Sequence, residues 1–179
     1  MLIAVWIGLG VVLLLAVFLV LAYVLGSRLP EEHVATMSLR LNQRPDAVWG
    51  LIADVEKHPS WSPGVNRVER KPDRNGHEAW QQTMGRNSFV LETTEKRAPE
   101  GGRGGVLLRT ITDNNGPFMG SWRYEVDPDG GGTRLRLTEA GRVKSPIPRY
   151  IMHLMGETMY LKSHLKAVAK RFNEPSLPE

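Results

Sequence analysis

The chain has 179 residues, with 23 basic and 19 acidic side chains, a net charge of +4 and no cysteine. The missing cysteine excludes disulfides, thiolate catalysis, cysteine-ligated zinc and iron–sulfur clusters together. The small positive charge fits ordinary solubility or weak attraction to anionic headgroups; with no known binding motif present, it does not point to nucleic acid.

Residues 2–25 carry no charged side chain. As a helix at about 1.5 Å per residue they would span roughly 36 Å, enough for a hydrocarbon core of about 30 Å. A cleaved signal has an apolar run of about 7–15 residues, set between basic residues and a small-x-small site. This run is longer, has no Lys or Arg before it, and ends in Tyr23-Val24-Leu25-Gly26-Ser27. The expectation is an uncleaved single-pass anchor over residues 1–26, with Trp6 and Tyr23 toward the two interfaces. Gly8 and Gly10 are not spaced for a GxxxG dimer face. Arg28, Arg40 and Arg44 follow the anchor, and the positive-inside tendency then puts the soluble part in the cytoplasm. Every charged side chain lies after residue 26. The expected division is a linker over 27–33, one monomeric domain over 34–172 and a flexible tail over 173–179.

Residues 34–41 alternate apolar Ala35, Met37, Leu39 and Leu41 with polar Thr36, Ser38 and Arg40, the period of a half-buried strand. Pro45 and Asp46 suit the first turn of a short helix whose apolar face is Val48, Trp49, Leu51 and Ile52. Asp54 caps a second short helix that stops near Pro59 and Pro63. Strand-like runs follow over 65–70, 77–84, 89–97, 106–112, 120–126 and 133–143, separated by Gly, Asn and Asp turns, as in an antiparallel meander. Pro146 and Pro148 open a long helix to about residue 172. On it Ile151, Leu154, Thr158, Leu161, Leu165, Val168 and Phe172 step by three and four. The fold class is α+β, with a curved seven-stranded antiparallel sheet around that terminal helix.

Four stretches resemble the SRPBCC superfamily of START-like, helix-grip proteins, which includes the polyketide cyclase/dehydrase and lipid-transport group. They are Arg44-Pro45-Asp46-Ala47-Val48-Trp49; Asp54-Val55-Glu56-Lys57-His58-Pro59-Ser60-Trp61-Ser62-Pro63; Gly120-Ser121-Trp122-Arg123-Tyr124-Glu125-Val126 with Thr133-Arg134-Leu135-Arg136-Leu137-Thr138-Glu139-Ala140-Gly141; and Pro146-Ile147-Pro148-Arg149-Tyr150. The resemblance covers residues 34–172. It implies a helix-grip fold with a cavity for an apolar ligand, and the anchor is an addition to the common soluble form. It does not select a function, because members bind lipids, sterols, quinones and polyketides and only some are enzymes.

Alternation turns Leu135, Leu137 and Glu139 inward, and with them Trp122 and Tyr124. Trp80, Phe89 and Leu91 are candidates to join them. The terminal helix would contribute Leu154, Met155, Thr158 and Leu161. These residues either pack as core or line a chamber. Glu139, if inward, is a carboxyl in apolar surroundings, and its pKa should rise. His33, His58, His77, His153 and His164 form no HxH or HExxH pattern, so neither a metal nor a cofactor is expected. Lys162, Lys166 and Lys170 form a stripe that is either a solvated flank or a headgroup contact. The leading reading is a membrane-anchored binding or transfer protein for a hydrophobic small molecule, a lipid, quinone, isoprenoid or polyketide. A cyclase- or dehydratase-type enzyme and a non-catalytic scaffold or assembly factor stay open. No catalytic residue is assigned.

Overall fold

In the computed structural model, which describes residues 2–112, 118–174 and 178–179, the apolar run forms helix α1 (Leu2–Arg28). Strand β1 (Glu32–Leu41) begins almost at once, so Leu29, Pro30 and Glu31 make the whole connection. Helix α2 (Pro45–Ala53) and a 3₁₀ turn (Val55–Ser60) follow. The meander comprises β2 (Val65–Arg74), β3 (His77–Met84), β4 (Asn87–Arg97), β5 (Gly105–Ile111), β6 (Phe118–Asp129) and β7 (Gly132–Val143). Helices α3 (Pro146–Met155) and α4 (Met159–Arg171) complete the chain.

The strands form one antiparallel seven-stranded sheet in the order β1-β7-β6-β5-β4-β3-β2. Asn75 and Gly76 both take positive φ (52° and 78°), the twist a tight β2–β3 hairpin turn needs. A bulge between Thr93 and Glu95 bends β4 where it crosses β5. The open edge of β1 is covered by the chain's own end: Ser38 and Glu179 exchange two backbone hydrogen bonds of 2.8 Å. Glu174 also accepts from the Asn42 backbone N–H.

The core fills only part of the concave face. Leu39, Leu41, Val126, Leu135 and Leu137 of the sheet pack against Val48 and Ile52 of α2 and Leu161, Leu165 and Val168 of α4, all essentially without exposure.

The C-terminal helical segment is not one rod. Gly156, at φ 89°, ends α3, and α4 starts afresh with Thr158 at its N-cap. Its ψ of 130° lies outside the left-handed helical cap, in a region that only glycine enters without steric cost. The break divides the seven-residue stripe expected from the sequence. Leu161, Leu165 and Val168 stay on the core side, whereas Leu154 (61% exposed), Met155 (55%) and Ile151 face outward. Thr158 is exposed at the start of α4, not centred on an apolar face. The buried side of α3 carries Arg149 instead. Its guanidinium donates to the backbone carbonyls of Gly26, Leu29, Val143 and Lys144 at 2.8–3.1 Å and pairs with Glu31 at 3.2 Å. One side chain thus ties the end of α1 to β7 and α3. Ala22 and Gly26, four residues apart on α1, are buried in this contact, and a Cβ at Gly26 would land on the Pro146 carbonyl. Small residues at this spacing let two helix backbones approach closely.

Candidate functional site

Two different environments lie on the concave face beyond the core. The first is a buried polar centre. Arg109 stands between Leu107 and Ile111 on the inward side of β5 and is almost fully buried. It donates to the carbonyl oxygens of Ile52 (3.0 Å) and Ala53 (3.1 Å), the unpaired C-terminal end of α2, where a cation also meets the negative end of the helix dipole. His58 Nε2 lies 3.1 Å from the same Ile52 oxygen, which places the neutral ring's hydrogen on that nitrogen. His164 of α4 reaches Ser62 through Nδ1 (3.4 Å) and Tyr124 through Nε2 (3.3 Å), with Trp61 edge-on at 5.1 Å. Burial, followed by the nearby Arg109 charge, holds His58 down to about 3 and His164 to about 4. Burial pushes the Tyr124 hydroxyl up to about 12. At neutral pH the centre therefore holds one cation and otherwise neutral groups. It encloses a cavity of about 20 Å³, room for one water-sized group.

The second environment is a chamber of about 490 Å³ at the sheet end nearest α1. All the strand ends that meet there contribute: His33 of β1, Met84 of β3, Phe89 of β4, Ile111 of β5, Met119 and Trp122 of β6, and Glu139 and Val143 of β7. Met152 and Tyr160 close it from the helices. Trp122 and Tyr160 also line the polar cavity, so their rings, 6.1 Å apart, form the wall between the two spaces. Next to the chamber is a groove of about 370 Å³ across the α3–α4 break. It shares His33, Glu139, Met152 and Tyr160 with the chamber and adds Ile151, Met155 and Met159.

Glu139 is the carboxyl of this chamber. It pairs in register with Trp122 on β6 and Ala35 on β1. Burial raises it from an ordinary 4.5 to about 7, offset in part by the Trp122 indole. That indole N–H is buried and makes no hydrogen bond of good geometry. His33 sits on the same face one diagonal away, opposite Gly141, and its Nδ1 is likewise buried without a partner. The chamber thus presents a mostly apolar volume, a carboxyl that is half protonated near pH 7, unpaired polar atoms from an indole and an imidazole, and the polar side chains of Arg86, Asn87, Ser88 and Arg142 in its lining.

The family model for polyketide cyclase/dehydrase and lipid transport proteins matches residues 32–172. The chain belongs to that family. Three solved structures share the family's fold at low identity. The Zhui aromatase/cyclase from a Streptomyces species is 14% identical, with 79% of this chain and 94% of that one covered and a TM-score of 0.62. A STAR-related lipid transfer protein from Xanthomonas axonopodis is 13% identical, covering 82% and 96%, with a TM-score of 0.61. A START superfamily protein from Mycobacterium smegmatis is 20% identical, covering 79% and 97%, with a TM-score of 0.61. A search of curated sequences finds no match. Family membership carries the helix-grip fold and, at the coarse level, ligand binding or cyclase activity. The long apolar α1 lies ahead of the matched region and is a candidate membrane span.

The sequence-predicted site residues are dispersed by the structure. Phe89, Trp122 and Glu139 line the chamber. Leu91 and Tyr124 line the polar cavity. Leu135, Leu137 and Leu161 are closed core. Trp80 is buried farther along the sheet, under the Arg70 guanidinium at 5.5 Å, with its indole bonded to Glu78 at 2.5 Å. Met155 borders only the outer groove, while Leu154 and Thr158 line neither cavity. The chamber lies at the sheet's α1 end, and not between the middle of the sheet and a long helix, because α4 seals the middle and the Gly156 break opens the end. Arg109 and His164 had a legible signal: each stands at an inward position of an apolar pattern, between Leu107 and Ile111 and beside Leu161 and Leu165.

Proposed function

We propose that the protein is a membrane-anchored binding or transfer protein for an apolar small molecule carrying one hydrogen-bonding group. The observation that carries this reading is the chamber of about 490 Å³ with a single near-neutral carboxyl in its wall. A cavity of that size, mostly apolar with a few convergent polar groups, is the usual form of a small-molecule site. Burial of the ligand's apolar area supplies affinity, at about 25 cal/mol per Å² before association costs. The Trp122 indole and protonated Glu139 are donors for a carbonyl, carboxyl or quinone oxygen. Anchoring through α1 keeps the domain beside a lipid-borne ligand and raises the effective concentration of each for the other. Met152 is half-buried between the chamber and the groove, so Met152→Trp should occupy the chamber without entering the closed core. Uptake of a pyrene-labelled fatty acid or a quinone analogue by the full chain in detergent should fall sharply, with the circular dichroism spectrum kept. Unchanged uptake by the folded variant would rule the chamber out as the ligand site.

An acid–base enzyme of cyclase or dehydratase type is the second reading, and Glu139 at about 7 favours it. A general acid or base works best when its pKa lies near the operating pH. Glu139→Gln separates the two readings. A binding protein keeps most of its affinity in this variant. An enzyme keeps its affinity and loses turnover of a poly-β-ketone probe.

A further inference from the structure

α3 has its polarity reversed relative to a surface helix of a soluble domain. Its one arginine is buried and paired, while Ile151, Leu154 and Met155, with Met159 beyond the break, stand exposed. The segment Pro146–Met155 contains no acidic residue. A contiguous apolar patch of this kind marks an interaction site, not ordinary surface. What covers it follows from α1. The buried contact of α3 is with Ala22 and Gly26, in the last two turns of the spanning helix. Those residues lie about 6 Å apart along the axis, at the end of a helix roughly 40 Å long, so they fall where a bilayer passes from acyl chain to headgroup. A helix packed against them is at the same depth. An interfacial helix carries such an apolar face, here Leu, Ile and Met, and α3 has no acidic side chain to oppose it.

We propose that α3 lies in the headgroup–acyl boundary of the bilayer that holds α1, with Ile151, Leu154, Met155 and Met159 toward lipid, and that the chamber opens through this patch. The inference rests on reading α1 as a membrane anchor. The groove of about 370 Å³ is lined by three of the four patch residues, Ile151, Met155 and Met159, and by four residues of the chamber wall. A ligand leaving the bilayer along this route meets mostly apolar surface, with Glu157 and His33 among the groove's polar side chains, and reaches Glu139 without crossing bulk water. Arg149 fixes the geometry, since it holds α1, α3 and the end of β7 together through backbone carbonyls.

The absence of cysteine allows single-site labelling of the full chain. Met155→Cys, Leu14→Cys and Ala47→Cys, each carrying an NBD fluorophore, are reconstituted in phosphatidylcholine vesicles containing lipids spin-labelled near the headgroup or deep in the chain. Ala47 is exposed on α2, toward the far end of the sheet. The proposal expects emission at position 14 to be quenched by the deep label and emission at 155 by the shallow one, with position 47 unaffected. Leu154→Cys repeats the measurement in case Met155→Cys perturbs α3. Quenching at 14 without quenching at 155 or 154 overturns the proposal and leaves the anchor intact. No quenching at 14 overturns both. Passage through the patch is tested with Leu154→Asp/Met155→Asp and a pyrene-labelled fatty acid. Lost transfer from vesicles with retained binding from micelles supports the route. Unchanged transfer refutes it, and so does loss of both, which would make these residues part of the binding wall itself.

Discussion

Glu139→Gln changes how stability depends on pH, and the sign follows from burial. In the fold the carboxyl titrates near 7, against an ordinary 4.5. Between those values the folded chain holds a proton that the unfolded chain has released, so stability falls as pH rises. The contribution is full below about 4.5 and is lost as pH passes through about 7. At 1.36 kcal/mol for each tenfold change, the gap corresponds to roughly 3.4 kcal/mol, reduced to about 2–3 kcal/mol because part of the carboxyl still meets solvent. Glutamine has no charge to gain, so the variant lacks this term. His58 and His164 act in the opposite direction over an overlapping range, and only the difference between wild type and variant isolates Glu139. The assay is urea unfolding of the full chain in detergent micelles, followed by tryptophan emission, at several pH values from 4.5 to 8. The variant should gain about 2–3 kcal/mol on wild type across that range. Parallel curves would show that Glu139 ionises as in water, and the chamber would then not be a dry apolar volume.

His58 and His164 stay neutral in the fold down to about 3 and 4, so their contribution is full above an ordinary 6.5 and is lost as pH falls toward 4; in the Glu139→Gln background, unfolding free energy should decline through that window. Arg109→Met leaves the part-buried Ala53 carbonyl without its donor and the Ile52 carbonyl with His58 alone, and should cost about 1–3 kcal/mol. The same variant removes a positive charge from both histidines, so their pKa values, read by NMR, should rise. Gly26→Val sets a side chain against the Pro146 carbonyl. It should detach α3 from α1 and increase protease cleavage within α3, while the α4 core keeps its amide-exchange protection; unchanged cleavage would mean the α1–α3 contact is not close-packed.

The long apolar helix α1, the strands and the fold class were legible in the sequence alone, because each rests on a local signal. An uncharged run of adequate length, a period of two, and Gly, Asn and Asp turns act through backbone geometry that neighbours in sequence control. The sequence also turned Trp122, Tyr124, Leu135, Leu137 and Glu139 inward, since alternation fixes which face a side chain takes. The upward pKa of Glu139 followed from that placement. Alternation does not say what stands opposite each inward residue. Whether an inward leucine meets another side chain or open space depends on how the helices seat on the sheet, and that is a matter of tertiary packing. Leu137 meets α4 and is core; Glu139, two residues on, meets the space left by the break at Gly156. The periodic stripe from Ile151 to Phe172 was accurate as a pattern and misleading as a surface, because one glycine with positive φ rotated its first half away from the domain. Arg109 and Arg149 show the same division. Their positions in the chain were plain. Their role, satisfying backbone carbonyls at helix and strand ends brought together from distant parts of the sequence, existed only once the fold had closed around them.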